Sequence, residues 1–472
     1  MSVKLCSNFI WFLILAWMIT GQCFSKDHIE SSKVDSGARS LLLMSDIHFD
    51  PFADPQLVKS LIASPVEQWE GILASVPNEP FAPYGKDSNY ALMISALTAA
   101  RDRGPYKLAI ITGDYLVHDS RKLFEPFGGK DEQAYENFVT KTEIFVAREV
   151  QKQLGNTPVY FSLGNNDSEC GDYMMATHTK FLEALAAEWK VLKDNPEAQK
   201  TMAEAGYYEM PHPSLDDTRL VVLNDIYWSN RYEPDSCYSR PNDKAGDREM
   251  AWLKTCLVRA RNSRQKVILV MHIPPQVDIF NTLKAMTTGG KKKVGKFFWD
   301  KKYEKIFVNL MMDYSDTVVF AYAGHTHMDD FRLLNNRQGN PFLVTHLCPA
   351  VSPIRVNNPG FQVMRFDKST GEVRDVYTYY LKNLSSARGT GGQWGMEYDF
   401  DSAYGLEAYN AHTLKALTDR FDADNVKLSL FAKYYIVSAP EVITAKTWRQ
   451  LNDLRLLASQ KELDASLENG LK

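Results

Sequence analysis

Residues able to bind a metal or move a proton recur in this sequence at the ends of short apolar runs. Residues 41–45 lead into Asp46-Ile-His48 and residues 108–112 into Gly113-Asp114. Residues 159–163 run into Gly164-Asn165-Asn166-Asp167, residues 267–271 into His272-Ile-Pro-Pro275, and residues 318–323 into Gly324-His325-Thr-His327. Four of the ten histidines, His48, His272, His325 and His327, thus stand at run ends among acidic or amide residues. Imidazole, carboxylate and amide oxygen form a mixed N/O donor set suited to zinc, manganese or iron, with no thiolate needed. Taken singly, each piece has a plain structural explanation: a turn, a chance Asp-x-His, a hydrogen-bonded histidine. Five such ends in one chain point to one shared site.

The elements that must position these residues are legible from periodicity. Continuous apolar or β-branched runs are the pattern of strands buried in a sheet, and ligands in α/β sheets collect where strands finish and loops begin. Between the runs, residues 90–101, 135–154, 249–261 and 303–314 carry apolar residues at three- and four-residue spacing, predicting helices that cover the sheet. A further strand is predicted at 220–223, and the following Tyr227-Trp-Ser-Asn-Arg-Tyr232 stretch is expected to line a substrate cleft, with Tyr227 a substrate contact. The alternation of strands and helices predicts a layered α/β architecture.

Composition bounds the rest. With 472 residues, 44% apolar and 24% charged, the chain can bury a large core, which excludes disorder, collagen-like repeats and a coiled coil. Its 54 Lys and Arg balance 58 Asp and Glu, so there is no footprint for a nucleic-acid duplex. Residues 1–25 carry one charge, Lys4, and an apolar run of 11 residues that is short for a bilayer. They read as a signal peptide cleaved after Ser25, predicting a secreted, periplasmic or lumenal protein with no transmembrane anchor in the mature chain. Removing it leaves Cys170, Cys237, Cys256 and Cys348, enough for two disulfides in any of three pairings.

The ordered series D-x-H, G-D-x-x-x-H-D, G-N-x-D, H-x-P-P and G-H-T-H resembles the calcineurin-like metallophosphoesterases. More narrowly it resembles the acid sphingomyelinase-like phosphodiesterases, through Thr112-Gly-Asp-Tyr-Leu-Val-His-Asp119, His272-Ile-Pro-Pro275, Gly324-His-Thr-His-Met-Asp329 and Asn358-Pro-Gly-Phe361. The resemblance covers residues 41–384 and implies a four-layer αββα catalytic core over 41–385, followed by a helical C-terminal subdomain over 386–472 with helices at 413–421 and 448–459. It implies two divalent ions, zinc first and manganese or iron as alternatives. One would be held by Asp46, His48 and His327, the second by Asn165, His272 and His325, with Asp114 bridging. Such a pair can carry a bridging hydroxide that attacks phosphorus in line and can clamp the phosphoryl oxygens. The implied activity is hydrolysis of phosphodiester or phosphoanhydride bonds in small substrates, nucleotide or phospholipid. The short stretch before Leu41 lacks room for a saposin-type lipid-presenting domain, which favours soluble substrates.

One departure matters. Where the family carries a histidine after the ligand asparagine, this chain has Asn166, and a neutral amide cannot deliver a proton. Either His118, oriented by Asp119, is the general acid or the substrates have leaving groups that need little help, with Asn166 left as a substrate contact. Two other readings stand beside the diesterase: a phosphomonoesterase on the same scaffold, and a metal-binding protein impaired by the loss at Asn166. Asn166 and Asn383 both head glycosylation sequons; a glycan on Asn166 would obstruct the site, leaving Asn383 as acceptor. Gly290-Lys-Lys-Lys-Val-Gly-Lys296 has P-loop spacing, but Phe297 replaces the hydroxyl residue, so it is expected to be a basic loop near the site mouth.

Overall fold

In the computed structural model, which describes residues 38–233, 244–279, 296–421 and 423–440, the runs identified in the sequence form strands in two six-stranded mixed sheets. The described strands are β1 (Ala38–Met44), β2 (Leu108–Ile111), β3 (Val159–Phe161), β4 (Tyr208–Pro211), β5 (Thr218–Val222), β6 (Lys266–Val270), β7 (Val318–Ala323), β8 (Asp330–Asn335), β9 (Pro341–Leu347), β10 (Gly360–Asp367), β11 (Val373–Leu381) and β12 (Trp394–Asp399). One sheet has the order β12-β11-β10-β1-β2-β3 and the other β4-β5-β6-β7-β9-β8.

Each sheet has a parallel part that aims strand ends the same way. β1, β2 and β3 pair in parallel, with Leu41 opposite Leu108 and Ala109 opposite Val159. β5, β6, β7 and β9 do the same in the second sheet. Parallel neighbours need crossovers, and the predicted helices supply them. Tyr90–Arg101 lies between β1 and β2, Glu132–Leu154 between β2 and β3, Ala245–Asn262 between β5 and β6, and Lys301–Asp313 between β6 and β7. The first two start at side-chain caps: Asn89 accepts from the Leu92 amide and Asp131 from the Ala134 amide. Glu132–Leu154 buries Phe138, Phe145, Val146 and Val150, and Phe138 and Phe145 pack on the fully buried Trp69 with ring centroids 5.4 and 5.7 Å apart. Each such aromatic contributes about 1.5–3 kcal/mol by leaving water. A single apolar cluster runs through both sheets and these helices, the layered α/β arrangement expected.

The segment after residue 386 begins in the sheet. β12 pairs antiparallel with β11, and the helices Phe400–Tyr404, Ala411–Arg420 and Asn425–Tyr435 follow. Phe431 meets Phe331 of β8 edge to face at 5.9 Å, and Phe400 and Tyr409 pack together at 4.9 Å. The signal peptide of 1–25, the basic stretch at 290–295, Cys237 and the helix expected at 448–459 lie outside the described residues. The two disulfides allowed by the cysteine count do not form: Cys256 and Cys348 are buried free thiols, while Cys170 is disulfide-bonded. Apolar burial suits an unreacted thiol, and burial raises the pKa of Cys256 to about 12.

Candidate metal centre

The five run ends converge. Asp114 follows β2, and its Oδ2 stands 3.4 Å from His48 Nε2, after β1, and 3.2 Å from His272 Nε2, after β6. On one side, His48 Nε2 lies 3.2 Å from His327 Nε2, and Asp46 Oδ1 lies 3.8 and 3.4 Å from those same two atoms. On the other, His272 Nε2 lies 3.2 Å from Asn165 Oδ1 and 3.3 Å from His325 Nδ1. Asp46, His48, Asp114, His272 and His327 are each no more than 2% exposed; His325 reaches solvent.

The donor chemistry fits cations. His48 Nδ1 donates to the Leu116 carbonyl at 2.8 Å and His272 Nδ1 to the Thr112 carbonyl at 2.6 Å. Both tautomers are thereby set, turning the Nε2 lone pairs inward, the second-sphere arrangement of metal-binding histidines. Asp46 Oδ1, fully buried, has no hydrogen-bond donor. The Asn165 amide is oriented by its own Nδ2, which donates to Asp172 Oδ1 at 2.7 Å, leaving the carbonyl oxygen to face His272.

Backbone conformation explains why these loops are what they are. Five of the seven candidate ligands, Asp46, His48, Asp114, His325 and His327, have positive φ, between 43° and 70°. Non-glycine residues rarely sit there, and such strain concentrates at functional sites. Two glycines make room. A Cβ on Gly164 would fall 2.2 Å from Asp114 Oδ1, and one on Gly324 would fall 1.9 Å from Ser45 Oγ and 2.7 Å from Asp46 Oδ2. The fastener between motifs is Asp167: its carboxylate accepts the amides of Asp114, Tyr115 and Gly164 at 2.7 Å each and that of Leu116 at 3.2 Å. Gly164→Ala is expected to lower kcat/KM about 100-fold, the scale of a roughly 1 Å misplacement. Unchanged turnover on a phosphoester would show that Asp114 tolerates the displacement.

Electrostatics describe a site that demands positive charge. Burial opposes charge on His48, but Asp114, Asp46 and Asp87 outweigh it and raise its pKa to about 9. Against the same burial, Asp114 and Asp46 raise His272 to about 10. His325 and His327 are pushed well down, by burial first and then by the neighbouring cationic imidazoles. Burial would raise the Asp114 carboxyl, yet His272 and His48 hold it well below the usual range. Protons on His48 and His272 thus answer the carboxylates, and divalent cations would displace them.

His118 lies beside this cluster, its ring stacked on His48 with centroids 4.1 Å apart and its side chain 25% exposed. Its orienting carboxylate is Asp87, not Asp119 as expected. Nδ1 lies 3.2 and 3.1 Å from the two Asp87 oxygens, and the His118 amide donates to Asp87 Oδ2 at 3.0 Å. Ser352 Oγ donates to Asp87 Oδ1 at 2.9 Å. Asp119 instead takes a left-handed conformation before the helix Ser120–Gly128, and its side chain caps nothing. Asn166 is 4% exposed, donating its backbone amide to Asp114 Oδ1 at 2.9 Å and its Nδ2 to Asp114 Oδ2 at 3.0 Å. A glycan has no room there. Tyr227, expected to be a substrate contact, is 2% exposed and packs edge to face on Tyr232, so its ring is buried and does not face an open cleft. Around His325 the wall is made instead by Phe298 at 5.1 Å, and by Tyr173, whose hydroxyl lies 3.4 Å from His325 Nε2.

A buried polar chain reaches the His325–His327 loop from the C-terminal side. Tyr409 hydroxyl meets His346 Nδ1 at 2.7 Å, and His346 Nε2 meets Gln362 Oε1 at 2.7 Å. Gln362 Nε2 then donates to Thr378 Oγ1 at 3.0 Å, and Thr378 donates to Asp329 Oδ2 at 2.9 Å. Tyr398 in β12 donates to that oxygen at 2.8 Å, and the Asp329 amide donates to the Tyr435 carbonyl at 3.0 Å. The Asn358 of the Asn-Pro-Gly-Phe motif clasps the same region, its Nδ2 donating to the Val437 carbonyl at 2.8 Å while its Oδ1 accepts from Tyr84.

Comparison with known sequences agrees with this geometry. The profile described as calcineurin-like phosphoesterase matches residues 39–329, and that of the acid sphingomyelin phosphodiesterase C-terminal region matches 340–451. The chain is 26% identical over 412 residues to cyclic GMP-AMP phosphodiesterase SMPDL3A of Homo sapiens, covering 85% of this chain and 83% of that one. It is 26% identical over 412 residues to acid sphingomyelinase-like phosphodiesterase 3b of Homo sapiens, covering 84% and 82% respectively. It is 24% identical over 347 residues to sphingomyelinase phosphodiesterase D of Dictyostelium discoideum, covering 68% and 72%.

Proposed function

From the premise that the chain belongs to the calcineurin-like phosphoesterase family, with an acid sphingomyelinase-type C-terminal region, we propose that it is an exported, dinuclear metal-dependent phosphodiesterase. Its substrates are small molecules with phosphodiester or phosphoanhydride bonds, in keeping with relatives named for cyclic GMP-AMP and sphingomyelin. The observation that carries the reading is the position of Asp114 Oδ2, within 3.4 Å of a ligand nitrogen from each of two histidine groups.

Asp46, His48 and His327 would hold one cation, Asn165, His272 and His325 the other, and Asp114 would bridge. Two divalent ions so held, zinc first, supply Lewis-acid charge to phosphoryl oxygens and lower the pKa of nearby water. The protein's own part is to bind, orient and protonate. His118, fixed through Nδ1 by Asp87, keeps a proton at Nε2 for the departing alkoxide, the work that the neutral Asn166 cannot perform. Asn166 holds Asp114 from two directions, which restrains the bridging carboxylate.

Chelation followed by dialysis is expected to abolish turnover of bis(p-nitrophenyl) phosphate and to lower the Tm; zinc or manganese should restore both. Each ion at a thousandfold excess over its Kd stabilises the fold by about 4 kcal/mol. Full activity in thoroughly chelated protein would end the metal-dependent reading. Faster release of phosphate from p-nitrophenyl phosphate than of nitrophenol from the diester would favour the monoesterase, and absence of both the impaired protein. Recovery of mature protein from the culture medium, with its N-terminus after Ser25, tests export.

A further inference from the structure

Beside the second histidine group stands a side chain that the phosphoryl chemistry leaves unexplained. Arg231 is 64% exposed, and its guanidinium carbon lies 4.1 Å from the centroid of the Tyr173 ring. Its Nη2 lies 3.4 Å from Asp172 Oδ2, and the other Asp172 oxygen accepts from the ligand Asn165 at 2.7 Å. Tyr173 in turn reaches His325. Two adjacent residues, Asp172 and Tyr173, therefore join Arg231 to two of the three side chains of that group.

The backbone carrying Arg231 is held from both sides. The Arg231 amide donates to Ser229 Oγ at 3.1 Å, and the Asn230 amide donates to the carbonyl of Phe298, whose ring packs on His325, at 3.0 Å. The Glu233 amide donates to the Tyr173 carbonyl at 3.1 Å. A guanidinium stacked on a ring and steered by one carboxylate contact loses less freedom on meeting a ligand than a free surface arginine. Asp172 is engaged through one nitrogen at a long distance, and a planar fork of five donors matches phosphate oxygens in pairs. Arg355, exposed, adds a second positive charge acting on His325 and His327.

We propose that Arg231 is a specificity-determining residue that receives a second anionic group of the substrate, next to the phosphorus that reacts. This rests on the phosphodiesterase reading and narrows it: substrates with a further phosphate, such as a nucleoside polyphosphate, are preferred over esters whose other half is neutral or cationic.

The test compares wild type, Arg231→Ala and Arg231→Lys, loaded with zinc, on ATP, bis(p-nitrophenyl) phosphate and p-nitrophenyl phosphorylcholine. The ratio of kcat/KM for ATP to that for bis(p-nitrophenyl) phosphate is expected to fall about ten- to a hundredfold in Arg231→Ala, through KM, the size of one lost charge-assisted contact. Arg231→Lys should fall between, because an ammonium keeps the charge and loses the paired geometry. A ratio that stays within threefold of wild type, or an equal fall on all three substrates, would overturn the assignment. Binding of α,β-methylene-ATP, which needs no turnover, separates the two readings: its Kd should rise at least about tenfold in Arg231→Ala. That shift in a protein without diesterase activity would sink the function and keep the anion site. An unchanged Kd beside normal diester turnover would do the reverse.

Discussion

Asp114→Asn is expected to cost the protein about four orders of magnitude in kcat/KM on any phosphoester, together with measurable loss of bound metal, because one oxygen serves both halves of the centre. The substitution keeps shape and volume. Asparagine can still accept from the Asn166 amide, which donates to Asp114 Oδ1 at 2.9 Å, so the loop should keep its place. What disappears is the negative charge that His48 and His272 meet at 3.4 and 3.2 Å. With the bridge neutral, two cations a few ångströms apart would repel with less to offset them. Metal analysis should therefore fall from two ions per chain toward one or none, with circular dichroism unchanged. A variant that kept both ions and more than a tenth of its turnover would show that Asp114 does not bridge.

The second large effect concerns the proton on the leaving group, and it should depend on what leaves. His118→Ala is expected to lower kcat on a diester with an alkyl leaving group by about 10²–10⁴-fold, the range for losing a positioned general acid. With p-nitrophenolate, which departs without a proton, the loss should stay below about tenfold. Asp87→Asn should show the same selectivity at smaller size, since Asp87 acts through His118 Nδ1, 3.1 Å away. His118 also lies close enough to His48 and His327 for the three to hold an ion together, so metal content discriminates the roles. An equal loss on both leaving groups, accompanied by a lost ion, would make His118 a ligand and leave the reaction without this acid.

The centre could be seen in the sequence because all seven proposed ligands sit within four residues of the end of a buried parallel strand. An apolar run that stops at Asp or His marks both the strand and its chemistry. Helix spacing behaved the same way: Tyr90–Arg101 is the predicted helix residue for residue. Asp87 left no such mark. It lies in Tyr84-Gly-Lys-Asp-Ser88, which reads as a turn, and only the folded chain brings it to His118, 31 residues away. Asp172, Tyr173 and Arg231 are hidden for the same reason, being assembled from two irregular loops. β12 was missed because it is a half-exposed edge strand, with one buried residue of six, so the alternation that signals a strand is absent. The left-handed backbone at five ligands is likewise a product of assembly, since neighbouring strand ends, not local propensity, force it.

The hydrogen-bonded chain ending at Asp329 has a consequence for how this protein can be divided. A chain cut before Trp394 would lose the phenol of Tyr398 and the far anchor at Tyr409, leaving the buried Asp329 carboxylate, two residues from His327, with the Thr378 hydroxyl but without its tyrosine donor. The first 390 residues contain all seven donors, yet as a fragment they would not be a smaller enzyme. Residues 398–435 supply partners that steady the loop carrying His325 and His327, so the centre is held in place only once that later segment has docked.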